Sequence, residues 1–206
     1  MTIDTKDMLN SILSSISRID YVRPDDIPNI DLYMDQVTTF MEKELASSKR
    51  HEDDKILTKT MINNYAKNNL LPPPVKKKYS REHMLLLVFI YYFKNMLSFH
   101  DIEALFAPIT EGHFMDASGL SLQDIYEEVF SMEYEQMKRL KEDLLRKFHA
   151  SEESFTDQKE DKDYLQLFTF ICALGFDVFL KKQAMEMLID QIREDYPVDH
   201  SKKKKS

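Results

Sequence analysis

Three consecutive prolines, Pro72 to Pro74, sit inside a sequence whose apolar residues otherwise recur at helical spacing. Proline has no amide hydrogen and a fixed φ, so no helix continues through such a run, and the chain there is held extended. Few runs of alternating β-branched residues occur, which predicts an almost all-α protein broken at this point by an extended segment. Glycine sharpens the constraint. The 206 residues include only 3 glycines, namely Gly112, Gly119 and Gly175. A phosphate-binding loop, a dinucleotide-binding turn or a nucleophile elbow each needs glycine for positive φ or close backbone approach, so these motifs are excluded.

The prolines follow a short polar helix expected over residues 58–68, capped by Thr58 or Thr60. They lead into Val75, the triplet Lys76, Lys77 and Lys78, and then Tyr79. Ser80, with Glu82 or His83, opens a long apolar helix reaching about Leu97, whose densest stretch, residues 84–93 (MLLLVFIYYF), is about half the length needed to span a bilayer. It reads as buried helix. Residues 98–101 (SFHD) form a start resembling a capping box for one more helix, stopped by Pro108.

Charge picks out the same segment. The chain carries a net charge of −8, yet residues 55–100 alone hold eight bases and one acid, flanked by strongly acidic stretches. Local potential, not total charge, decides whether a polyanion can approach. The competing reading of this island is a solvated face that balances the acids elsewhere.

Before the island, residues 7–19 read as an amphipathic helix. Residues 23–29 form a connector, and residues 31–45 a second helix capped by Asp31 and joined onward by a polar loop of about ten residues. After it, residues 109–120 read as a loop and residues 121–150 as one long helix. Residues 151–163 read as an acidic, mobile linker. Residues 164–196 read as a helix apolar on nearly all sides, hence buried in a bundle or at a subunit interface, with a bend at Gly175. The N-terminus lacks an apolar leader core and the single cysteine, Cys172, sits in an apolar helix. A cytoplasmic protein without disulfides, metal site or membrane span is expected.

The order of helix, Leu70-Leu71-Pro72-Pro73-Pro74, lysine-rich hairpin, Tyr79-Ser80-Arg81-Glu82 and apolar helix resembles the winged helix-turn-helix of MerR-type transcription regulators over residues 61–106. More broadly, residues 27–109 are similar to the YkrK-like group of bacterial proteins of unknown function. The resemblance implies a domain over 27–109, preceded by an N-terminal helix and connector (1–26). A C-terminal helical region for dimerisation or regulation (110–200) and a basic tail (201–206) follow. It also implies possible DNA contacts at Asn63 and Lys77, where the pattern has arginines, and at Tyr65.

The residues themselves fit duplex DNA. Thr58, Lys59, Thr60, Asn63, Asn64 and Lys67 offer short polar groups to a groove, Asn being able to bond adenine N6 and N7 together. Lys76, Lys77, Lys78 and Arg81 can neutralise phosphates, and Tyr65 and Tyr79 can donate to them, core packing being the alternative for both tyrosines. The expectation is a sequence-specific regulator acting as a repressor-like homodimer on double-stranded DNA. Its interface would come from residues 121–150 and 164–196; no cofactor is expected, and an effector is unspecified. An all-α adaptor holding an acidic protein partner in a basic groove is the competing function.

An enzyme is not expected. The six histidines never take the spacing that aims two ligands at one metal, and residues 51–54 (HEDD) read as a solvated loop. Among Phe168, Phe170, Phe176 and Phe179 a plain aromatic core is favoured over a ligand cavity.

Overall fold

The computed structural model describes residues 5–16, 21–114 and 119–197, so the basic tail over 201–206 lies outside the described residues. The described chain is mostly helical: α1 (Thr5–Ile16), α2 (Met34–Glu44), α3 (Lys59–Lys67), α4 (Arg81–Phe93), α5 (Phe99–Gly112), α6 (Leu122–Ser131), α7 (Glu133–Glu152) and α8 (Lys162–Asp195). Its two short strands, β1 (Leu32–Tyr33) and β2 (Lys78–Tyr79), pair antiparallel with Leu32 opposite Tyr79 and Tyr33 opposite Lys78. The chain divides into two compact units, one of Tyr21–Phe130 with the described residues from Ala184 onward, the other of the described N-terminal residues with Ser131–Gln183.

In the first unit α4 is the centre. Every residue from Met84 to Ile90 is buried, so two turns of helix show no outward face. Such a helix is stable only when enclosed on all sides. Val37 and Met41 of α2, Ile62 and Tyr65 of α3, Ile102 and Phe106 of α5, Leu122 and Tyr126 of α6, and Ile189 near the end of α8 join it in one core. Tyr126 is fully buried and its hydroxyl donates to the Val22 carbonyl at 2.6 Å, while its ring packs on Phe89 and Phe130. Burial of that phenol is tolerated because its polar tip is bonded. Arg193 closes the unit by an ion pair with Asp101 in the first turn of α5.

Several sequence expectations are corrected here. The helix placed at 31–45 begins at Met34, and Asp31 does not cap it. Leu32 and Tyr33 are drawn into pairing with β2, and the Tyr33 amide donates to Gln36 Oε1 instead. The helix of 98–108 starts at the Ser98–Asp101 capping box as expected but runs through Pro108 to Gly112. The helix expected over 121–150 is two helices broken at Met132. α6 belongs to the core around α4.

In the second unit Leu9 of α1, Leu144 and Phe148 of α7 and Phe170 of α8 form a small core, with Leu13, Ile16 and Leu174 against it. Lys147 bridges Asp143 and Asp177. The linker expected to be mobile is a hydrogen-bonded turn, in which Gln166 Nε2 donates to the Ser154 carbonyl at 2.9 Å. The aromatic core expected among four phenylalanines does not form. Phe170 alone of the four is buried, while Phe168, Phe176 and Phe179 are exposed. Among the described residues α8 is the one helix long and apolar enough to cross a membrane, and very little of its apolar stretch is buried within the chain.

Pro108 removes the amide that would bond the Ala104 carbonyl, one turn back in α5. Pro108→Ala is expected to stabilise the protein by about 1–2 kcal/mol, read from the denaturation midpoint. An unchanged or lowered midpoint would mean that α5 does not continue through this position.

Candidate nucleic-acid interface

α3 is short and divided cleanly by its periodicity. Ile62 and Tyr65 point into the core, whereas Thr60, Asn63, Asn64 and Lys67, spaced i, i+3, i+4 and i+7, are exposed along one stripe. Thr58 is the cap: its hydroxyl accepts from the Met61 amide at 3.2 Å. Lys59 is exposed at the first helical position and pairs with Asp35 in the first turn of α2.

The end of α3 is a Schellman turn. Asn69 takes a left-handed φ of 61°, the Leu70 amide donates to the Tyr65 carbonyl at 2.9 Å and the Asn69 amide to the Ala66 carbonyl at 3.4 Å. Leu70 and Leu71 are then buried, anchoring the turn, and the prolines carry the chain away from the helix axis.

His83 fastens this turn to α4. Its Nδ1 accepts from the Ser80 amide at 3.0 Å, so Nε2 carries the proton and donates to the Pro72 carbonyl at 3.1 Å. The ring is buried, edge-on to Tyr79 and Phe114. Burial pulls its pKa below the ordinary imidazole value, and the bond to Pro72 opposes this only in part.

Beyond the prolines, the Lys78 amide donates to the Val75 carbonyl at 2.9 Å, closing a two-residue hairpin at Lys76 and Lys77. Both tip residues are left-handed, with φ of 51° and 65°. This is the geometry of a type I′ turn, ordinarily made by Asn-Gly. For a residue with a Cβ it costs roughly 1 kcal/mol or more at each position. Lys78 lies over the Tyr33 ring, with Nζ 5.2 Å from its centroid. The start of the α2 segment therefore touches both parts of the surface: Asp35 holds Lys59, and Tyr33 supports Lys78.

The residues singled out from the sequence thus fall into two groups. Lys59, Thr60, Asn63, Asn64, Lys67, Lys76 and Lys77 are exposed, and Thr58 and Lys78 partly so. Tyr65 and Tyr79 take the core-packing alternative, at 8% and 3% exposure, because the apolar face of α3 and the strand pairing turn both rings inward. Arg81 is partly buried and donates to the Pro24 carbonyl at 2.7 Å, so it ties the connector down. Its Nε is buried without a hydrogen-bond partner.

Two members of the basic island lie elsewhere. Lys55 and Lys94 line a cleft of about 370 Å³ with Ser48, Lys49, Arg50 and Tyr91. Residues 51–54 remain a loop, and among the described residues no cluster of three His, Cys, Asp or Glu is placed to hold a metal.

The partners Tyr33, Asp35 and His83 were not legible as parts of this surface, since each acts across a tertiary contact. Only the Ser80-x-x-His83 spacing signalled one of them.

Comparison with curated proteins and with solved structures gives no match. A family model described as a domain of unknown function, DUF1836, matches residues 22–129. That span is close to Tyr21–Phe130, the larger continuous part of the unit built around α4.

The joint and the hairpin tip can each be tested by stability. His83 has a folded-state pKa below its unfolded value near 6.5. The folded state therefore binds fewer protons than the unfolded chain below that pH, and stability falls as pH is lowered from about 7.5 to 5.5. His83→Gln, which retains a donor, should flatten this part of a melting-temperature profile; an equally steep profile would assign the dependence to other groups. Lys76→Asn with Lys77→Gly relieves the strained tip and should raise stability by about 1–2 kcal/mol, measured by chemical denaturation. A decrease would show that the turn is not of this type. With more than half of its length matched by the family model, this chain belongs to the DUF1836 family.

Proposed function

We propose that this protein is a sequence-specific DNA-binding regulator acting as a homodimer, in which α2, α3, the lysine hairpin, α4 and α5 form a MerR-like winged helix-turn-helix. The observation that carries the reading is the exposed stripe Thr60, Asn63, Asn64 and Lys67 on α3, joined through a rigid Schellman and proline turn to a hairpin tipped by Lys76 and Lys77. Polar side chains on one helix face suit base edges in a major groove, and a lysine-tipped hairpin beside it suits phosphates.

The chemistry sets the character of the binding. Asn63 and Asn64 can read adenine bidentately, while the lysines act as point charges without the fixed fork of arginine. Affinity then depends strongly on salt. Lys59 contributes less than the others because Asp35 already neutralises it. The buried Tyr65 and Tyr79 shape the surface from beneath instead of touching phosphate. A single module of this size buries little DNA, and a dimer reading two half-sites doubles the contact.

Duplexes selected from a random library should bind with log K falling linearly against log salt. Lys76→Ala, Lys77→Ala and Lys78→Ala together should reduce that slope by about 0.9 for each phosphate that is no longer neutralised. Asn63→Ala should leave the slope unchanged and cost about 1–3 kcal/mol of discrimination at one base pair. Absence of duplex binding at low salt, or binding indifferent to the three lysine changes, would rule the reading out in favour of an acidic protein partner.

A further inference from the structure

We infer that the outward face of α8 between Tyr164 and Phe179 is an antiparallel seam for a second copy of this chain. Beside the face that carries Phe170 and Leu174 into the small core, α8 presents Tyr164, Phe168, Ile171, Val178 and Phe179, each more than half exposed. Gly175 lies among them. Tyr164, Phe168, Ile171, Gly175 and Val178 are spaced 4, 3, 4 and 3, the repeat by which one helix meets another along a continuous seam. Counting also Phe176 and Leu180 farther round the helix, the apolar surface that α8 leaves exposed is on the order of 700–800 Å². Each partner of a stable interface contributes about 800 Å². Monomeric soluble proteins rarely leave such a patch open.

Two features choose the direction and the occupant. A two-fold axis between Ile171 and Cys172 sets Tyr164 opposite Phe179, and Phe168 opposite Gly175. A Cβ built on Gly175 meets nothing within 4 Å, so the chain itself makes no use of the notch, although a mid-helix glycine costs about 1 kcal/mol relative to alanine. The Phe168 ring of a second copy fills that notch. The same axis brings residues 160–163, where Glu160, Asp161 and Asp163 outnumber Lys162, toward Lys181 and Lys182 of the second copy. A parallel pairing would instead stack like charges. Asp177, inside the apolar stretch and ion-paired with Lys147, makes a second copy of α8 a better occupant than a lipid interior, where a charge is costly.

This inference deepens the homodimer part of the proposed function and is independent of its DNA part. The test is sedimentation velocity on the full chain, with circular dichroism and flotation with phosphatidylcholine vesicles as companion measurements. The wild-type chain should be a dimer. Gly175→Leu, which enters open space in the single chain and raises helix propensity, should keep its helicity and yet weaken the dimer at least about tenfold. Phe168→Glu should do the same. A dimer indifferent to both variants overturns the seam while leaving the homodimer reading standing; a wild-type monomer at high concentration overturns both. Wild-type chain floating with vesicles, unimpaired or strengthened by Gly175→Leu and abolished in Phe168→Glu, overturns the seam in favour of a membrane.

Discussion

A helix with no polar face can exist in water only if its neighbours cover all of it, and α4 imposes that condition on everything around it. From Met84 to Ile90 each residue is buried. At about 25 cal/mol per Å² of apolar surface, each of these side chains contributes roughly 1.5–3 kcal/mol when enclosed and forfeits it when any covering element leaves. The cover is drawn from α2, α3, α5, α6 and the last turns of α8. The inward faces of those helices are therefore determined by α4, and their outward faces are what remains free for function.

The candidate surface is such a remainder. α3 commits Ile62 and Tyr65 to the core, which leaves Thr60, Asn63, Asn64 and Lys67 facing water. The same logic turns Tyr79 inward once β2 pairs with β1, and lifts Lys76 and Lys77 to the tip of the hairpin. Rigidity comes from bonded backbone: the Schellman turn after α3, the imidazole of His83 held between Ser80 and Pro72, and the prolines themselves. A neutral buried histidine at this joint also makes the surface sensitive to acid. Left-handed lysines at the tip mean that local backbone preference yields there to the placement of charge.

α8 shows the opposite outcome from a similar composition. It too is apolar on several sides, but in the second unit it is covered along one face only, by α1 and α7 through Leu9, Leu144 and Phe148. The difference between the two helices is the number of neighbours, which hydrophobicity along the chain does not encode. An apolar helix covered on one side has a face left to bury, and the proposed seam is the use we assign to it.

Much was legible before any tertiary contact was known. Helical periodicity announced nearly every helix, the prolines marked the turn, Thr58 and the Ser98 box marked helix starts, and segment charge located the lysines, because each of these signals is local in sequence. What was not legible depends on partners distant in sequence. Asp31 does not act as a cap because β1 formed a strand with residues more than forty positions away. Pro108 did not end α5 because core packing of Phe106 and Ile102 outweighs one missing hydrogen bond. Helix α6 joined the α4 core because Tyr126 could bond Val22 and pack edge-on against Phe89. The amino-acid sequence by itself determined that the chain is helical, interrupted at Pro72 to Pro74, and basic beside that interruption. Only the tertiary structure decided how much of each apolar helix is covered, α4 on all sides and α8 on one, because that is set by the summed burial of all the elements together.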